Sequence, residues 1–187
     1  MRLTDGGIWH ATPIPVLASF VVVAESAGLL GGEGVVNVLD AGAGDGRVLA
    51  ALATGLGPRS HSRIYGLECD ASLAAAAASN LEALERRGLF AGARRPRVAQ
   101  GDYFDPGAYA CLGLTPRQLD VVFNYPDGNE RRLLDWLRAH ARPGLRLLIL
   151  SPDREFALGP APLIRAPVMP LPGGPPIPWQ LVAYQVV

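Results

Sequence analysis

The chain has 187 residues, 49% hydrophobic and 18% charged, and its 17 basic and 17 acidic side chains cancel to zero net charge. That suits one sizeable globular core and gives no global electrostatic pull toward nucleic acid or an anionic membrane. Every basic residue is an arginine, which excludes lysine Schiff-base chemistry, and Cys69 and Cys111 are too few for a disulfide framework or a cysteine-built zinc site. Free thiols fit a reducing compartment, so a cytoplasmic protein holding no metal is expected.

In chain order, Ile14 to Ala24 is mostly apolar, but it is too short to span a bilayer and Glu25 ends it. Asp5 beside Arg2, with Pro13 and Pro15 at the start of the run, makes a poor secretory signal. The spacing of Val16, Leu17, Phe20, Val21, Ala24 and Ala27 predicts a helix, capped by Thr12 with Pro13 in its first position. A helix apolar on most of its surface must be covered by the rest of the chain.

From Val35 onward, short apolar runs alternate with longer helical patterns. Strands are expected over Val35–Asp40, Arg63–Glu68, Arg97–Gln100, Leu119–Asn124 and Leu145–Ser151. Helices are expected over Asp45–Ala53, Ala71–Arg87 and Asn129–Ala141. Such alternation needs crossover connections and hence a parallel sheet covered on both faces. After Ser151 the pattern breaks into a proline-dense stretch, then a final strand over Trp179–Val187 with Leu163–Ala166 as its partner. The expectation is an α/β chain with one doubly wound, Rossmann-like sheet. It is mostly parallel, with an antiparallel C-terminal strand and helices on both faces. It is read as one domain over 1–187, residues 1–33 forming an N-terminal helix and lid and residues 152–178 a proline-rich loop on the substrate side.

The informative segment is Val38-Leu39-Asp40-Ala41-Gly42-Ala43-Gly44-Asp45-Gly46-Arg47. Alternate glycines after a strand let the backbone turn tightly and approach a ligand closely. In a dinucleotide loop the glycines follow G-x-G-x-x-G and hold a pyrophosphate at the helix start. Here the third glycine comes one residue early, and Asp40 and Asp45 flank the loop. Two carboxylates repel a pyrophosphate and suit a positively charged, amino-acid-like ligand.

D-A-G-A-G-D-G after a hydrophobic strand resembles motif I of the class I S-adenosylmethionine-dependent methyltransferases, and the likeness runs in the family's order from about Thr12 to Leu150. The resemblance implies that Asp40, Ala41, Gly42, Ala43, Gly44, Asp45 and Gly46 cradle S-adenosyl-L-methionine, released as S-adenosyl-L-homocysteine. Glu68 stands where the family places the acid that binds the ribose hydroxyls, beside Cys69. Asp102 stands where an aspartate takes the adenine amino group, with Tyr103 either stacking on adenine or packing. Asn124-Tyr125-Pro126 occupies the place of motif IV, beside the methyl group, which makes Asn124 a candidate cofactor-binding residue as well.

In-line methyl transfer needs an aligned nucleophile, exclusion of water and, where required, proton removal. Asn124-Tyr125-Pro126-Asp127 partly resembles the N/D-P-P-Y/F signature of enzymes acting on planar amino groups, but Tyr125 replaces the first proline and Asp127 the aromatic residue. That departure weighs against nucleic acid as the acceptor. Asn124, Tyr125 and Asp127 are the candidate catalytic residues, with His10 a candidate base near Trp9 and Thr12. His61 and His140 fall at the amino edge of the sheet, as do Arg86-Arg87 and Arg94-Arg95-Pro96-Arg97, which read as a solvated turn. Arg131-Arg132 begins the helix after Asn124 and is placed to meet an acidic substrate.

A threonine-proline leading helix with G-D-G-R is also similar to small bacterial relatives of the protein lysine methyltransferases. The expected activity is therefore methyl transfer to a protein side-chain amine or a small metabolite, with no membrane partner. Three alternatives stay open: an aminopropyltransferase-like enzyme, a nucleic-acid or amide N-methyltransferase, and a non-catalytic cofactor-binding subunit.

Overall fold

The computed structural model describes the chain except residues 1, 5, 6, 10, 32–33, 57–60, 91–94, 154–155, 160 and 170–178; of residues 2–4 and 7–9 it describes the backbone alone. A short antiparallel hairpin, β1 (Arg2–Thr4) and β2 (Gly7–Trp9), leads into α1 (Ile14–Ser26). Then follow β3 (Val36–Ala41), α2 (Arg47–Gly55), β4 (Ser62–Glu68), α3 (Ala71–Arg86) and β5 (Arg97–Gln100). The second half holds β6 (Val121–Asn124), α4 (Glu130–His140), β7 (Arg146–Ser151), β8 (Ile164–Val168) and β9 (Trp179–Gln185).

Seven strands form one sheet in the order β5-β4-β3-β6-β7-β9-β8. The first five are mutually parallel, and β9 runs antiparallel to both β7 and β8. The expected Rossmann-like α/β sheet is thus present, with its reversal of strand order at the β3–β6 junction. β3 lies at the centre, and the run Val-Asn-Val-Leu-Asp-Ala suits a strand buried on both faces. Val38, Val121, Phe123 and Leu148 meet α1 and α2 on one face, through Phe20, Val21, Leu49 and Leu52. Leu39, Val122, Leu147 and Ile149 meet α4 and a 3-10 segment on the other, through Leu133, Leu137, Tyr109 and Leu112.

Most elements fall within two residues of their expected bounds. Three differences have physical causes. Pro13, not Thr12, takes the cap position of α1, and no side chain caps it. Thr12 is buried, and its carbonyl accepts from Arg47 Nη1 at 3.3 Å. The helix expected from Asp45 starts at Arg47, because Gly46 has φ +84° and cannot continue a right-handed helix toward the loop. Pro106–Leu112 and Pro116–Gln118 form 3-10 turns where their prolines and glycines read as loop. The proline-rich stretch includes the edge strand β8, whose Pro167 is tolerated because an edge strand has one unpaired side. No helix among the described residues is long and apolar enough to cross a membrane.

Candidate functional site

Strand register brings the candidate residues to one edge. Ala41 of β3 lies opposite Leu67 of β4 and Asn124 of β6, and Glu68 lies opposite Gln100 of β5. Asp40, Glu68, Asn124 and the Gly101–Tyr103 turn therefore converge at the carboxyl ends of the central strands, where open α/β sheets bind ligands.

The glycine loop is held by its own amides. Gly42 N and Ala43 N both donate to Leu67 O (3.0 and 2.9 Å), Gly44 N to Glu68 Oε2 (2.7 Å) and Gly46 N to Ala43 O (2.9 Å). Those donors, which would cradle a phosphate in a dinucleotide loop, are already engaged. Gly46 has a second role: a Cβ there would stand 3.2 Å from the Ala77 backbone, so α3 packs directly on the loop. Gly66 is constrained likewise, since its Cβ would meet Ala43 and Leu49 at 2.8 Å.

The three flanking carboxylates differ. Asp45 is neutralised by Arg47, whose Nε donates to both its oxygens at 2.9 and 3.1 Å, and Arg47 thereby ties the loop to Thr12. Glu68 is buried; besides Gly44 N it accepts from Asp70 N at 2.9 Å and from the Cys69 thiol at 3.6 Å. Asp40 is 1% exposed, and its Oδ2 has no hydrogen-bond partner. Burial first, then the charges of Glu68 and Asp45, push its carboxyl well above the usual aspartate range. Cys69 is pushed up to about 11 by burial and then by Glu68, so it stays a thiol and is no nucleophile at neutral pH.

The β5 turn is stitched on by Gly101 N donating to Glu68 O at 2.9 Å. Asp102 is exposed, with Oδ1 accepting from Phe104 N at 2.8 Å. Tyr103 is buried beside Gly42, and its hydroxyl donates to Asp127 Oδ2 at 2.7 Å, a clasp between the β5 and β6 turns. Burial, then Asp127, hold the Tyr103 phenol far above its ordinary range, so it remains a donor. Asp127 Oδ1 accepts from Asn129 N at 2.8 Å, so both its oxygens are engaged.

On the β6 side, Asn124 is 1% exposed and donates from Nδ2 to Ala41 O at 2.8 Å. A carbonyl can only accept, which fixes the amide orientation and leaves Oδ1 as a buried, unpartnered acceptor. Half-buried Tyr125 packs against Trp179, ring centroids 6.0 Å apart. Trp179, at the start of β9, is 4% exposed and its Nε1 has no acceptor. Among the described residues four buried side-chain atoms lack partners, and three of them (on Asp40, Asn124 and Trp179) belong to this edge. Native interiors leave few such atoms, and each calls for an explanation.

Sequence reasoning missed Trp179, the Tyr103–Asp127 clasp and the Arg47 tie. Trp179 reads only as the start of a strand, and no spacing links it to Asn124. His10 and the Trp9 side chain lie outside the described residues. His61 is exposed before β4, and His140, at the far end of α4, stacks on Trp136 with centroids 4.5 Å apart.

No family model and no curated protein matches the sequence. Solved structures do match. The RNA methyltransferase from Salinibacter ruber, in complex with S-adenosyl-L-homocysteine, is 22% identical over 95% of this chain and 94% of its own, with a TM-score of 0.62. The rRNA methyltransferase aviRa from Streptomyces viridochromogenes is 21% identical over 98% of this chain and 89% of its own, TM-score 0.69. The O-methyltransferase from Bacillus cereus, also in complex with S-adenosyl-L-homocysteine, is 19% identical over 99% of this chain and 84% of its own, TM-score 0.60. The chain has the seven-stranded fold of the class I S-adenosylmethionine-dependent methyltransferases. Two of these three proteins are RNA methyltransferases, so the expectation against nucleic acid finds no support in them, and neither does the narrower likeness to lysine methyltransferase relatives.

Proposed function

We propose that this chain is an S-adenosylmethionine-dependent methyltransferase acting on an acceptor nitrogen. The observation that carries the reading is Asp40: a buried carboxylate with an unpartnered oxygen, beneath a glycine loop whose amides are engaged. Such a site is closed to phosphate and suited to a cation, and the cofactor carries an ammonium and a sulfonium. Glu68, anchored by its two amide donors, would present its carboxylate to the ribose hydroxyls. Asp102, braced on one oxygen by Phe104 N, would offer the other to the adenine amino group. Tyr103, at its place against Gly42, would wall the pocket.

When bound, the cofactor supplies a methyl group already activated on sulfur. What remains for the chain is alignment and exclusion of water. Asn124 Oδ1, fixed by the bond from Nδ2 to Ala41 O, accepts an N–H of the incoming nitrogen and orients its lone pair. Asp127, which accepts from the Tyr103 hydroxyl and from Asn129 N, acts through them as a positioning residue.

Isothermal titration with S-adenosyl-L-homocysteine, followed by transfer of label from methyl-labelled cofactor to fractionated lysate, tests the reading. Saturable binding at one site and label in an acceptor fraction are expected. Absence of binding to the folded chain refutes it.

A further inference from the structure

We propose that the acceptor nitrogen is the exocyclic amine of a nucleobase carried on a phosphate chain, which Arg131 and Arg132 hold beside the crevice. The inference rests on the methyl-transfer reading above and names its substrate class.

Among the described residues five arginines pair with a carboxylate. Arg47 pairs with Asp45, Arg86 with Glu82 (2.7 Å), Arg95 with Glu85 (3.2 Å), Arg138 with Asp135 (3.0 Å) and Arg142 with Asp120. Arg131 and Arg132 are exposed and, like Arg63, Arg87, Arg97 and Arg117, have no carboxylate partner among the described residues; their place in the fold sets them apart. They stand in the first turn of α4, where the helix dipole already disfavours cations. Two unneutralised charges held against that field are relieved by an anion, and by a phosphate in particular, which matches the guanidinium fork.

Their surroundings add direction. Arg131 lies against the connection between β7 and β8: a Cβ on Gly159 would stand 2.5 Å from its Nη2. The Arg132 guanidinium lies 3.9 Å from the centroid of the Phe104 ring, next in sequence to the Tyr103 clasp. Guanidinium groups and aromatic rings are both surfaces on which the bases of single strands stack, so the pair is chemically suited to an unstacked base. Both arginines follow the Asn124–Asp127 turn, so a chain gripped there passes the methyl-transfer edge.

The buried orphans discriminate among amines. Asn124 Oδ1 is an unanswered acceptor and Trp179 Nε1 an unanswered donor, each more than nine-tenths buried. A lysine ammonium offers donors only, leaves Trp179 unanswered and is repelled by Arg131 and Arg132. A base with an exocyclic amine presents N–H donors and ring lone pairs together. In the transfer, the amine lone pair forms the N–C bond as the C–S bond of S-adenosylmethionine breaks. The electron pair stays on sulfur as the homocysteine thioether, and the displaced N–H proton leaves to water.

The test gives the whole chain methyl-labelled S-adenosylmethionine with total RNA, denatured DNA or lysate protein freed of nucleic acid. Label in RNA or DNA, recovered after nuclease digestion as an N-methylated nucleoside, is expected, and the two arms identify the sugar. Arg131→Ala with Arg132→Ala should raise KM for the polynucleotide at least about tenfold, with homocysteine-product affinity unchanged. It should also lower the slope of log affinity against log salt by about 0.7 per lost phosphate contact. Trp179→Phe, which keeps an aromatic ring and removes the N–H, should lower kcat with little change in KM. Label in protein alone, or a salt slope identical in the arginine variant, overturns the proposal while leaving the methyltransferase reading intact. Cofactor binding with no label in any arm also overturns it, whereas absence of cofactor binding removes the reading beneath it.

Discussion

The two halves of the active edge are built on opposite terms. On the β4 side every amide of Gly42, Ala43, Gly44 and Gly46 has an acceptor, and Glu68 joins loop, strand end and the start of α3. On the β6 side the fold leaves Asn124 Oδ1 and Trp179 Nε1 buried without partners. Burying a polar group unpaired costs about 1–3 kcal/mol, a cost the acceptor half bears at two atoms and the glycine-loop half at one, Asp40 Oδ2. A loop whose amides are satisfied, with one carboxyl oxygen left bare, suits a cationic ligand, and two bare atoms of opposite kind suit one that both donates and accepts.

The sharpest way to break this contrast is Glu68→Ala, which takes the acceptor from the buried Gly44 amide and the part-buried Asp70 amide. Unfolding in urea should show a loss of about 2–4 kcal/mol, on the order of two such amides, and titration should show no measurable product affinity. Gly46→Ala comes next. Its φ of +84° and the Ala77 backbone 3.2 Å away combine left-handed strain with overpacking, for a loss of about 1–3 kcal/mol.

Asp40→Asn probes the one unsatisfied group on the cofactor side, and its sign follows from proton linkage. The folded carboxyl sits well above the ordinary aspartate range, so the folded chain keeps a proton that the unfolded chain has released. Stability is therefore greatest below the ordinary aspartate range and falls as pH rises through the elevated folded value. The asparagine variant should lose that dependence. In wild type, binding a ligand that carries an ammonium should release a proton below that folded value, seen as buffer-dependent heats. The variant should release none and bind about tenfold more weakly, the ~1.4 kcal/mol expected of a lost charged contact. Tyr103→Phe has the smallest expected effect, about 0.5–1.5 kcal/mol of stability for one hydrogen bond to Asp127. Its signature is a raised acceptor KM at constant cofactor affinity; an unchanged KM would remove the clasp from the acceptor site.

Legibility in the sequence followed the same division. Asp40 to Gly46, Glu68 and Asp102 are readable because a strand, a glycine turn and a helix start occur in sequence, and local chemistry needs only local spacing. The leading helix was readable from Val16, Leu17, Phe20, Val21 and Ala24, all buried in the fold. Its cap falls at Pro13 because proline fits both positions, and only its extended backbone, φ −61° and ψ 136°, separates them. Asp45 reads as a ligand contact, and its pairing with Arg47 two residues on is visible only in the structure. Trp179 was invisible as a site residue, since antiparallel β9 brings its first residue to the carboxyl edge only after the chain has crossed the sheet.

By itself the sequence determined the alternation of strands and helices, the parallel core and the place of the glycine turn, because these follow from periodicity, turn chemistry and side-chain volume over a few neighbouring residues. Only the tertiary structure decided which carboxyl is buried with a bare oxygen, which arginines lack a carboxylate among the described residues and which buried atoms go unpaired. Those properties are differences between a group and everything packed around it, and strands distant in sequence supply or withhold the partner.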